Sequence, residues 1–280
     1  MTATPSREWV LTGRGGVALA ARAWLPAGAA RDVIVIAHGY AEHSGRYANV
    51  VDRLVPLGYA VYALDHRGHG RSGGHRGMIG RMAWVVEDLH GLVAQARNEN
   101  GGRRVKLLGH SMGGAVATGY AQRYPEDLSG LILSGPAIGG MPSGFQRALL
   151  RALSAVAPKL GTVELPAEAI CRDPAVVTAY RHDPLVTIGK VPARTVGEMA
   201  SAANAYLAQA PAMTVPVLIQ HGSQDLLIPP EGNRAIYAAI GSEDKTIETY
   251  EGLYHEIYNE PERESVLDDL VAWLEAHPAG

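Results

Sequence analysis

The sequence predicts an α/β fold with a mostly parallel central sheet and helices on both of its faces. Short, continuous apolar runs recur along the chain, as expected of strands that are covered on both sides. Longer amphipathic stretches lie between or after these runs, and strands that alternate with helices form parallel sheets. The five clearest runs are Val33–Ala37, Ala60–Leu64, Val105–Leu108, Leu131–Leu133 and Val217–Ile219.

Several further segments fit the predicted α/β fold. Trp9–Leu11 and Val17–Trp24, joined by a glycine-rich turn, predict an antiparallel hairpin at the edge of the sheet. Apolar residues recur at spacings of three and four in Tyr47–Val55 and in Val266–Leu274, which predicts an amphipathic helix in each. Thr246–Tyr250 predicts one more strand.

The alternation of strands and helices stops in residues 137–212. This segment holds seven of the 17 prolines and has a mostly helical composition. We therefore predict a helical cap at 137–212, inserted into a core made of residues 1–136 and 213–280. An ordinary helical layer is the alternative, but the proline spacing favours short, bent elements.

Composition excludes several classes of protein. The 280 residues are 47% apolar and 19% charged, which rules out a disordered chain. A net charge of −3 argues against a dedicated nucleic-acid binder, so no nucleic-acid partner is expected. The single cysteine, Cys171, can form neither an internal disulfide nor a thiolate metal site by itself.

We expect a cytoplasmic protein. Residues 1–10 contain no apolar segment of the kind found in signal peptides. No apolar run approaches the length of about 18 residues that a membrane-spanning helix needs. One cysteine also suits a reducing compartment.

A serine nucleophile is predicted at Ser111. Gly109-His110-Ser111-Met112-Gly113 follows the strand run Val105–Leu108 and precedes a helix-prone stretch. G-x-S-x-G between a strand and a helix is the nucleophile elbow, in which a tight turn lifts the hydroxyl clear of the sheet. We therefore expect acyl transfer chemistry at this position.

A serine hydroxyl needs a base, and the base needs a carboxylate to orient it. Asp225 lies just beyond the strand run Val217–Ile219, and His255 follows the predicted strand Thr246–Tyr250. Strand ends on one edge of a parallel sheet meet in space, so these distant residues can converge. The order Ser111, Asp225, His255 is the one expected for this kind of elbow.

The tetrahedral oxyanion of acyl transfer requires two aimed N–H donors. The backbone N–H of Met112, directly after the nucleophile, is one candidate. The other should come from the loop after the strand that ends at Ala37, which makes the N–H of Tyr40 the second candidate.

His66, His69 and His75 lie in a glycine-rich polar stretch and raise the question of a metal site. Asp65 is the only acidic residue at ligand spacing there, so a structured polar loop is the favoured interpretation and no metal is expected. The glycine-rich segments lack the spacing of phosphate-binding loops. We therefore expect no cofactor.

Four stretches together resemble the bacterial monoacylglycerol lipases of the α/β-hydrolase superfamily, and the likeness extends over nearly the whole chain. The resemblance implies the α/β-hydrolase fold, with a cap over the active site that supplies an apolar channel for an acyl chain. The stretches are His38–Tyr47, Asp65–Ser72, Gly109–Gly114 and Tyr254–Glu256.

The same resemblance implies that Glu42, Arg46, His110 and Tyr180 hold the glycerol end of the substrate. A diol needs donors and acceptors, because a buried polar group without a partner costs a few kcal/mol. For Glu42 and Arg46, an ion pair that fixes the loop is an equally good interpretation, and both roles are compatible.

Within the predicted cap, the stretch Phe145–Leu160 suggests a contact with lipid. Phe145, Leu149 and Leu153 belong to an apolar stripe whose neighbouring charges are all basic, a pattern typical of helices that lie on an anionic membrane surface. Packing inside the cap is the more common role for such a stripe. Our hypothesis is a transient, peripheral membrane contact through its outward part.

The leading hypothesis is a serine hydrolase that cleaves monoacylglycerol to fatty acid and glycerol through an acyl-enzyme intermediate. A lysophospholipase or a general carboxylesterase is the alternative within the same chemistry. A catalytically silent binding protein of this fold is the alternative outside it, and a proline peptidase is disfavoured because the Glu42–Arg46 loop suits an alcohol leaving group. A homodimer is also left open.

Overall fold

A computed structural model describes residues 4–138, 150 and 152–278. Its centre is an eight-stranded sheet in the order β1-β2-β4-β3-β5-β6-β9-β10. The strands are β1 (Arg7–Thr12), β2 (Ala18–Trp24), β3 (Asp32–Ala37), β4 (Tyr59–Leu64), β5 (Val105–His110), β6 (Leu128–Ser134), β9 (Val217–Gly222) and β10 (Lys245–Tyr250). Two further strands, β7 (Gly161–Glu164) and β8 (Lys190–Pro192), form a separate antiparallel pair.

The strand directions confirm the predicted sheet. β1 and β2 form the antiparallel hairpin at one edge, and β2 is also antiparallel to β4. From β4 to β10 all neighbours are parallel. The carboxyl ends of β3, β5, β9 and β10 therefore lie along one edge of the sheet, where polar side chains from distant parts of the chain can meet.

Helices cover both faces of the sheet, as predicted. The described helices are α1 (Ala48–Leu54), α2 (Met82–Glu99), α3 (Met112–Arg123), α4 (Pro174–His182), α5 (Ala193–Gln209), α6 (Pro230–Ala239) and α7 (Arg263–Ala276). Apolar residues of α1 and α7 share one core cluster with one face of the strands. Those of α2, α3 and α6 share a second cluster with the opposite face. The short α1 has 3₁₀ turns at both ends, and the turn after it contains Pro56, which cannot donate to a continuing helix.

The predicted cap segment contains more than helices. Besides α4 and α5, it holds the β7–β8 pair, which helical composition did not reveal. Val163 and Val191 are paired in its register, and β-branched residues favour strands. The division into a core of 1–136 and 213–280 and a cap of 137–212 stays a prediction.

One helix of this segment is anchored to the core. Tyr206 of α5 lies against Gly119 of α3, where a Cβ atom would clash with its hydroxyl. The Gln122 amide also donates to the Tyr206 carbonyl oxygen over 2.8 Å. This end of the segment is thus packed on the central layers rather than free above them.

Candidate active site

The elbow at Ser111 has the strained geometry that its sequence predicts. Ser111 lies between β5 and α3 with φ 52° and ψ −118°, a conformation that non-glycine residues rarely adopt. A Cβ atom at Gly113 would clash with the Ala37 carbonyl, and one at Gly109 would clash with the Gly113 carbonyl. The two glycines therefore let α3 begin directly against the ends of β3 and β5.

Asp225 and His255 are in direct contact. His255 Nδ1 lies 2.6 Å from Asp225 Oδ2, and both side chains are almost completely buried. Asp225 follows β9 by three residues, and His255 follows β10 by five. Burial by itself would raise the pKa of the Asp225 carboxyl, but the facing His255, a hydrogen bond from His221 and backbone N–H groups hold it below its usual range.

Ser111 and His255 line the same cavity, which has a volume of about 190 Å³. The hydrogen bonds of the described residues include none between these two side chains. Contacts of this kind commonly shorten only in the reacting complex, so the arrangement is compatible with proton transfer between them.

The loop after β3 brings Tyr40 to the lining of the same cavity. Among the described residues, the N–H groups of Tyr40 and Met112 make no hydrogen bond to a protein acceptor. The loop is held from two sides. Glu42 Oε1 accepts hydrogen bonds from the Gly39 N–H (2.6 Å) and the Tyr47 hydroxyl (2.8 Å).

The other support for this loop comes from the cap segment. Ala41 has a φ of 69°, unusual for a residue with a Cβ atom, and its carbonyl accepts a hydrogen bond of 2.8 Å from the Thr187 N–H. The position of the Tyr40 N–H thus depends on contacts made by both the core and the cap segment.

A buried cluster of charges lies beside the cavity. Arg46 Nε is 3.3 Å from Glu42 Oε2, and Arg46 Nη2 is 2.5 Å from Glu256 Oε2. The Arg46 guanidinium also lies 4.7 Å from the centre of the Tyr180 ring, a cation–π contact. Burial and the nearby Glu256 raise the pKa of Glu42 to about 7. The cluster therefore holds two carboxyl groups around a single guanidinium.

The four residues assigned to the glycerol end by resemblance lie together, but at different depths. Glu42, His110 and Tyr180 line the cavity with Ser111. Arg46 lies behind them, in a smaller adjoining pocket. Burial and the neighbouring His255 ring, 4.6 Å away centre to centre, hold the pKa of His110 well below its usual range.

Sequence reasoning missed Glu256, which lines the same cavity and contacts Arg46. The signal that could have found it is its position directly after His255, because a residue next to the proposed base lies at the same edge of the sheet. His221 of β9, which contacts the Asp225 carboxylate, and Asn233 of α6, which contacts His221, were missed as well.

Much of the remaining lining of the cavity, called here the apolar wall, consists of apolar residues. Most of its residues come from the cap segment, and Leu227 and Ile228 come from the loop that carries Asp225. This wall can accept an aliphatic chain without leaving polar groups unpaired. Its members are Ala137, Val163, Leu165, Ile170, Val191, Val196, Met199, Leu227 and Ile228.

The histidines of the glycine-rich stretch are separated. His66 and His69 are fully buried and pack with His38, whereas His75 is exposed. Burial lowers the pKa of His66 to about 3 and that of His69 to about 4, so both are neutral near pH 7. Within the described parts of the chain, no group of three or more His, Cys, Asp or Glu side chains could hold a metal ion.

The predicted lipid contact falls largely outside the described residues, which exclude Phe145 and Leu149. Leu153 is described and is half-buried. In the part of the chain that the structure covers, no helix combines the length and the apolar character needed to cross a bilayer.

The chain is similar to known proteins over almost its whole length. Residues 28–262 match the family described as "Serine aminopeptidase, S33". The chain is 42% identical to the monoacylglycerol lipase of Mycolicibacterium smegmatis over 279 residues, which is 99% of this chain and all of that protein. It is 32% identical to human monoglyceride lipase, over 96% of this chain and 90% of that protein. The crystal structure of the Paleococcus ferrophilus monoacylglycerol lipase superimposes with a TM-score of 0.83 at 31% identity, over 92% of this chain and 99% of that chain.

Proposed function

The chain belongs to the serine aminopeptidase S33 family of α/β-hydrolases, together with the monoacylglycerol lipases, and on that premise we propose that it hydrolyses monoacylglycerol. The products are a fatty acid and glycerol. The observation that carries the proposal is the cavity at Ser111, whose lining combines many apolar side chains with a buried polar cluster. A single aliphatic chain joined to a small polyol matches both features.

In this proposal Ser111 Oγ attacks the ester carbonyl while His255 takes up its proton. Asp225, 2.6 Å from His255 Nδ1, orients the imidazole and stabilises its cationic form. His255 then protonates the departing alkoxide, which leaves as glycerol. A water molecule, deprotonated by His255, then attacks the acyl carbonyl. The acyl–Oγ bond breaks, His255 returns the proton to Ser111 Oγ, and the fatty acid leaves.

The N–H groups of Tyr40 and Met112 receive the negative charge of each tetrahedral intermediate. Neither has a protein acceptor among the described residues, so both are free to donate to substrate. Losing one such donor typically lowers kcat by about 10²–10³.

Glu42 has two roles in this scheme. Its Oε1 fixes the loop through Gly39, and its other oxygen lies beside Arg46 at the alcohol end of the cavity. Glu256, His110 and Tyr180 complete the polar side. Carboxylates accept and tyrosine hydroxyls donate hydrogen bonds, which suits the hydroxyl groups of glycerol.

The charge balance favours monoacylglycerol over a lysophospholipid. Glu42 and Glu256 both contact Arg46, so its positive charge is already matched by carboxyl groups. A phosphodiester placed at this end would meet those carboxyl groups, and like charges disfavour binding. A general carboxylesterase would have no need for the polar cluster.

We also propose a transient membrane contact through the cap segment. Val156 and Ile188 of that segment are apolar and largely exposed, at 86% and 61%. Such side chains can insert into the interface of a lipid surface. A cytoplasmic, peripherally associated enzyme and a homodimer are both consistent with this contact.

A substrate panel tests the proposed activity. We expect higher kcat/KM on 1- or 2-acylglycerols than on matched lysophosphatidylcholine, 4-nitrophenyl esters or aminoacyl-nitroanilides. The control is Ser111→Ala, which should lose about 10⁶-fold in kcat and all labelling by a fluorophosphonate while remaining folded. Residual activity above one per cent of wild type would refute the assignment of Ser111, and preference for the lysophospholipid would refute the substrate.

A further inference from the structure

The catalytic carboxylate has a second imidazole partner. His221, at the carboxyl end of β9, places its Nε2 2.8 Å from Asp225 Oδ2, the same oxygen that contacts His255. His221 is 1% exposed and does not line the cavity at Ser111. It therefore touches the carboxylate from the side away from substrate.

Asn233 of α6 fixes which nitrogen of His221 carries the proton. The Asn233 amide nitrogen lies 2.5 Å from His221 Nδ1, and Asn233 is fully buried. With this amide oriented to donate, Nδ1 accepts and the proton resides on Nε2. A neutral His221 then donates to Asp225. The hydrogen bonds therefore run from Asn233 to His221, from His221 to Asp225, and from Asp225 to His255.

Among the described residues, four donors contact the Asp225 carboxylate. His255 and His221 contact Oδ2, and the Leu227 and Ile228 N–H groups donate to Oδ1 over 2.8 and 2.9 Å. Hydrogen bonds to a charged acceptor are stronger than those between neutral groups, and each further donor restricts the rotation of the carboxylate. Backbone groups hold Oδ1, whereas Oδ2 is shared by the side chains of His221 and His255.

We propose that His221 is a positioning residue that keeps Asp225 aligned with His255 and takes up part of the negative charge on Oδ2. This rests on the catalytic roles proposed above. When His221 donates, the His255 Nδ1–H faces a partly neutralised oxygen. Without that donor, Oδ2 attracts the His255 proton more strongly and stabilises the imidazolium.

In the part of the chain that the structure describes, three histidines are the titratable groups that lie around Asp225. His221 approaches from β9, His255 from the segment after β10, and His110 from the end of β5, while α6 contributes the uncharged Asn233. His110 is in contact with His255 rather than with the carboxylate oxygen, and its burial favours its neutral form. Removing the His221 donor therefore changes the field at Oδ2 without creating a new charge there.

The test compares His221→Leu with His221→Gln in the full chain. Leucine removes the donor, whereas the glutamine amide nitrogen can reach the position of Nε2. For His221→Leu we expect the acid limb of the kcat/KM profile to move up by about 0.5–1 pH unit and kcat to fall about 10- to 100-fold, with KM unchanged. His221→Gln should restore most of kcat and bring the acid limb back toward the wild-type position.

Two controls separate positioning from loss of structure. Gln220→Leu, at the adjacent buried position of β9, removes hydrogen bonds to Tyr250 and Tyr258 and should lower stability without moving the acid limb. Asn233→Ala should move the acid limb upward by less than His221→Leu, because His221 can then turn its proton away. It also keeps the test available if His221→Leu does not fold.

The profiles are measured on 4-nitrophenyl butyrate as well as on a monoacylglycerol. Failure on the monoacylglycerol alone contradicts the proposed substrate and leaves the test of His221 intact. An unmoved acid limb in folded His221→Leu and Asn233→Ala overturns the inference, as does an equal shift in Gln220→Leu. A glutamine variant that behaves like the leucine variant also overturns it.

Discussion

Glu42 both holds the loop after β3 and lines the cavity at Ser111. It is 4% exposed, contacts Gly39, Tyr47 and Arg46, and lines the cavity at Ser111. The two interpretations offered by the sequence, a loop-fixing ion pair and a glycerol ligand, place the residue in the same position. The cost in stability of burying its carboxyl group can be measured separately, through the pH dependence of unfolding.

The raised pKa of Glu42 predicts a pH-dependent stability. The pKa rises from 4.5 to about 7 on folding, so between these values the folded protein keeps a proton that the unfolded chain has released. The contribution of this group to stability therefore falls as the pH rises through that window. We expect the urea midpoint to fall less between about pH 5 and about pH 8 in Glu42→Gln than in the wild type.

The matched control is Glu8→Gln, which removes a carboxyl group that is about half-exposed on β1. It should leave the pH dependence of the urea midpoint as in the wild type. An equal or steeper loss in Glu42→Gln would contradict the proposed protonation of Glu42.

At the scale of elements, the loop after β3 is held by hydrogen bonds from both the core and the cap segment. Gly39 of this loop has little room for a larger residue. A Cβ atom there would lie 2.9 Å from Glu42 Oε1 and 3.2 Å from both His110 Cδ2 and Ser111 Cβ. These groups belong to a nucleophile turn and a buried cluster, neither of which can move freely.

Gly39→Ala should therefore displace the loop and misdirect the Tyr40 N–H. We expect kcat to fall by about 10- to 10³-fold with a smaller change in KM, since one oxyanion donor contributes about 10²–10³. Steady-state kinetics and the thermal unfolding temperature check this. Gly28→Ala, where a Cβ would meet nothing within 4 Å, is the control and should leave both unchanged. Full activity in Gly39→Ala would exclude Tyr40 as an oxyanion donor.

At the scale of the whole molecule, the central sheet carries a buried ion pair. Lys106 of β5 is fully buried and pairs with Asp32 of β3. The two strands lie side by side in the middle of the sheet, with Ile34 opposite Lys106 in the register. A charge removed from such a pair leaves its partner buried without compensation.

We expect Lys106→Met to lower the free energy of unfolding by about 3–5 kcal/mol, measured by urea denaturation. Arg104→Met removes the same charge from an exposed position two residues away and should change it by less than about 0.5 kcal/mol. A loss in Lys106→Met no larger than that of the control would show that the pair does not stabilise the fold.

The arrangement of the site follows from the topology. β3, β5, β9 and β10 are parallel and end at one edge, so Tyr40, Ser111, Asp225 and His255 all leave the sheet on the same side. This much could be predicted, because each of these residues lies within a few positions of the end of a predicted strand. The nucleophile turn was equally predictable, since its glycines are needed within five consecutive residues.

The remaining contacts could not be predicted in the same way. Glu256 meets Arg46 across 210 positions of sequence, and Asn233 reaches His221 from a different helix. The β7–β8 pair joins segments about 30 residues apart whose composition indicated helices. No pattern within a few consecutive residues predicts contacts between segments that lie so far apart in the sequence.

The sequence by itself determined the fold class, and it predicted the strand ends and the chain order of the proposed nucleophile, carboxylate and base. These depend on patterns within a few residues, such as burial on both faces of a strand and the tight turn at Ser111. Only the tertiary structure decided which buried polar groups share a charge or a proton: Glu42 and Glu256 around Arg46, and His221 beside Asp225. Those relations arise from packing between distant segments, where differences of about an ångström separate a hydrogen bond from no contact.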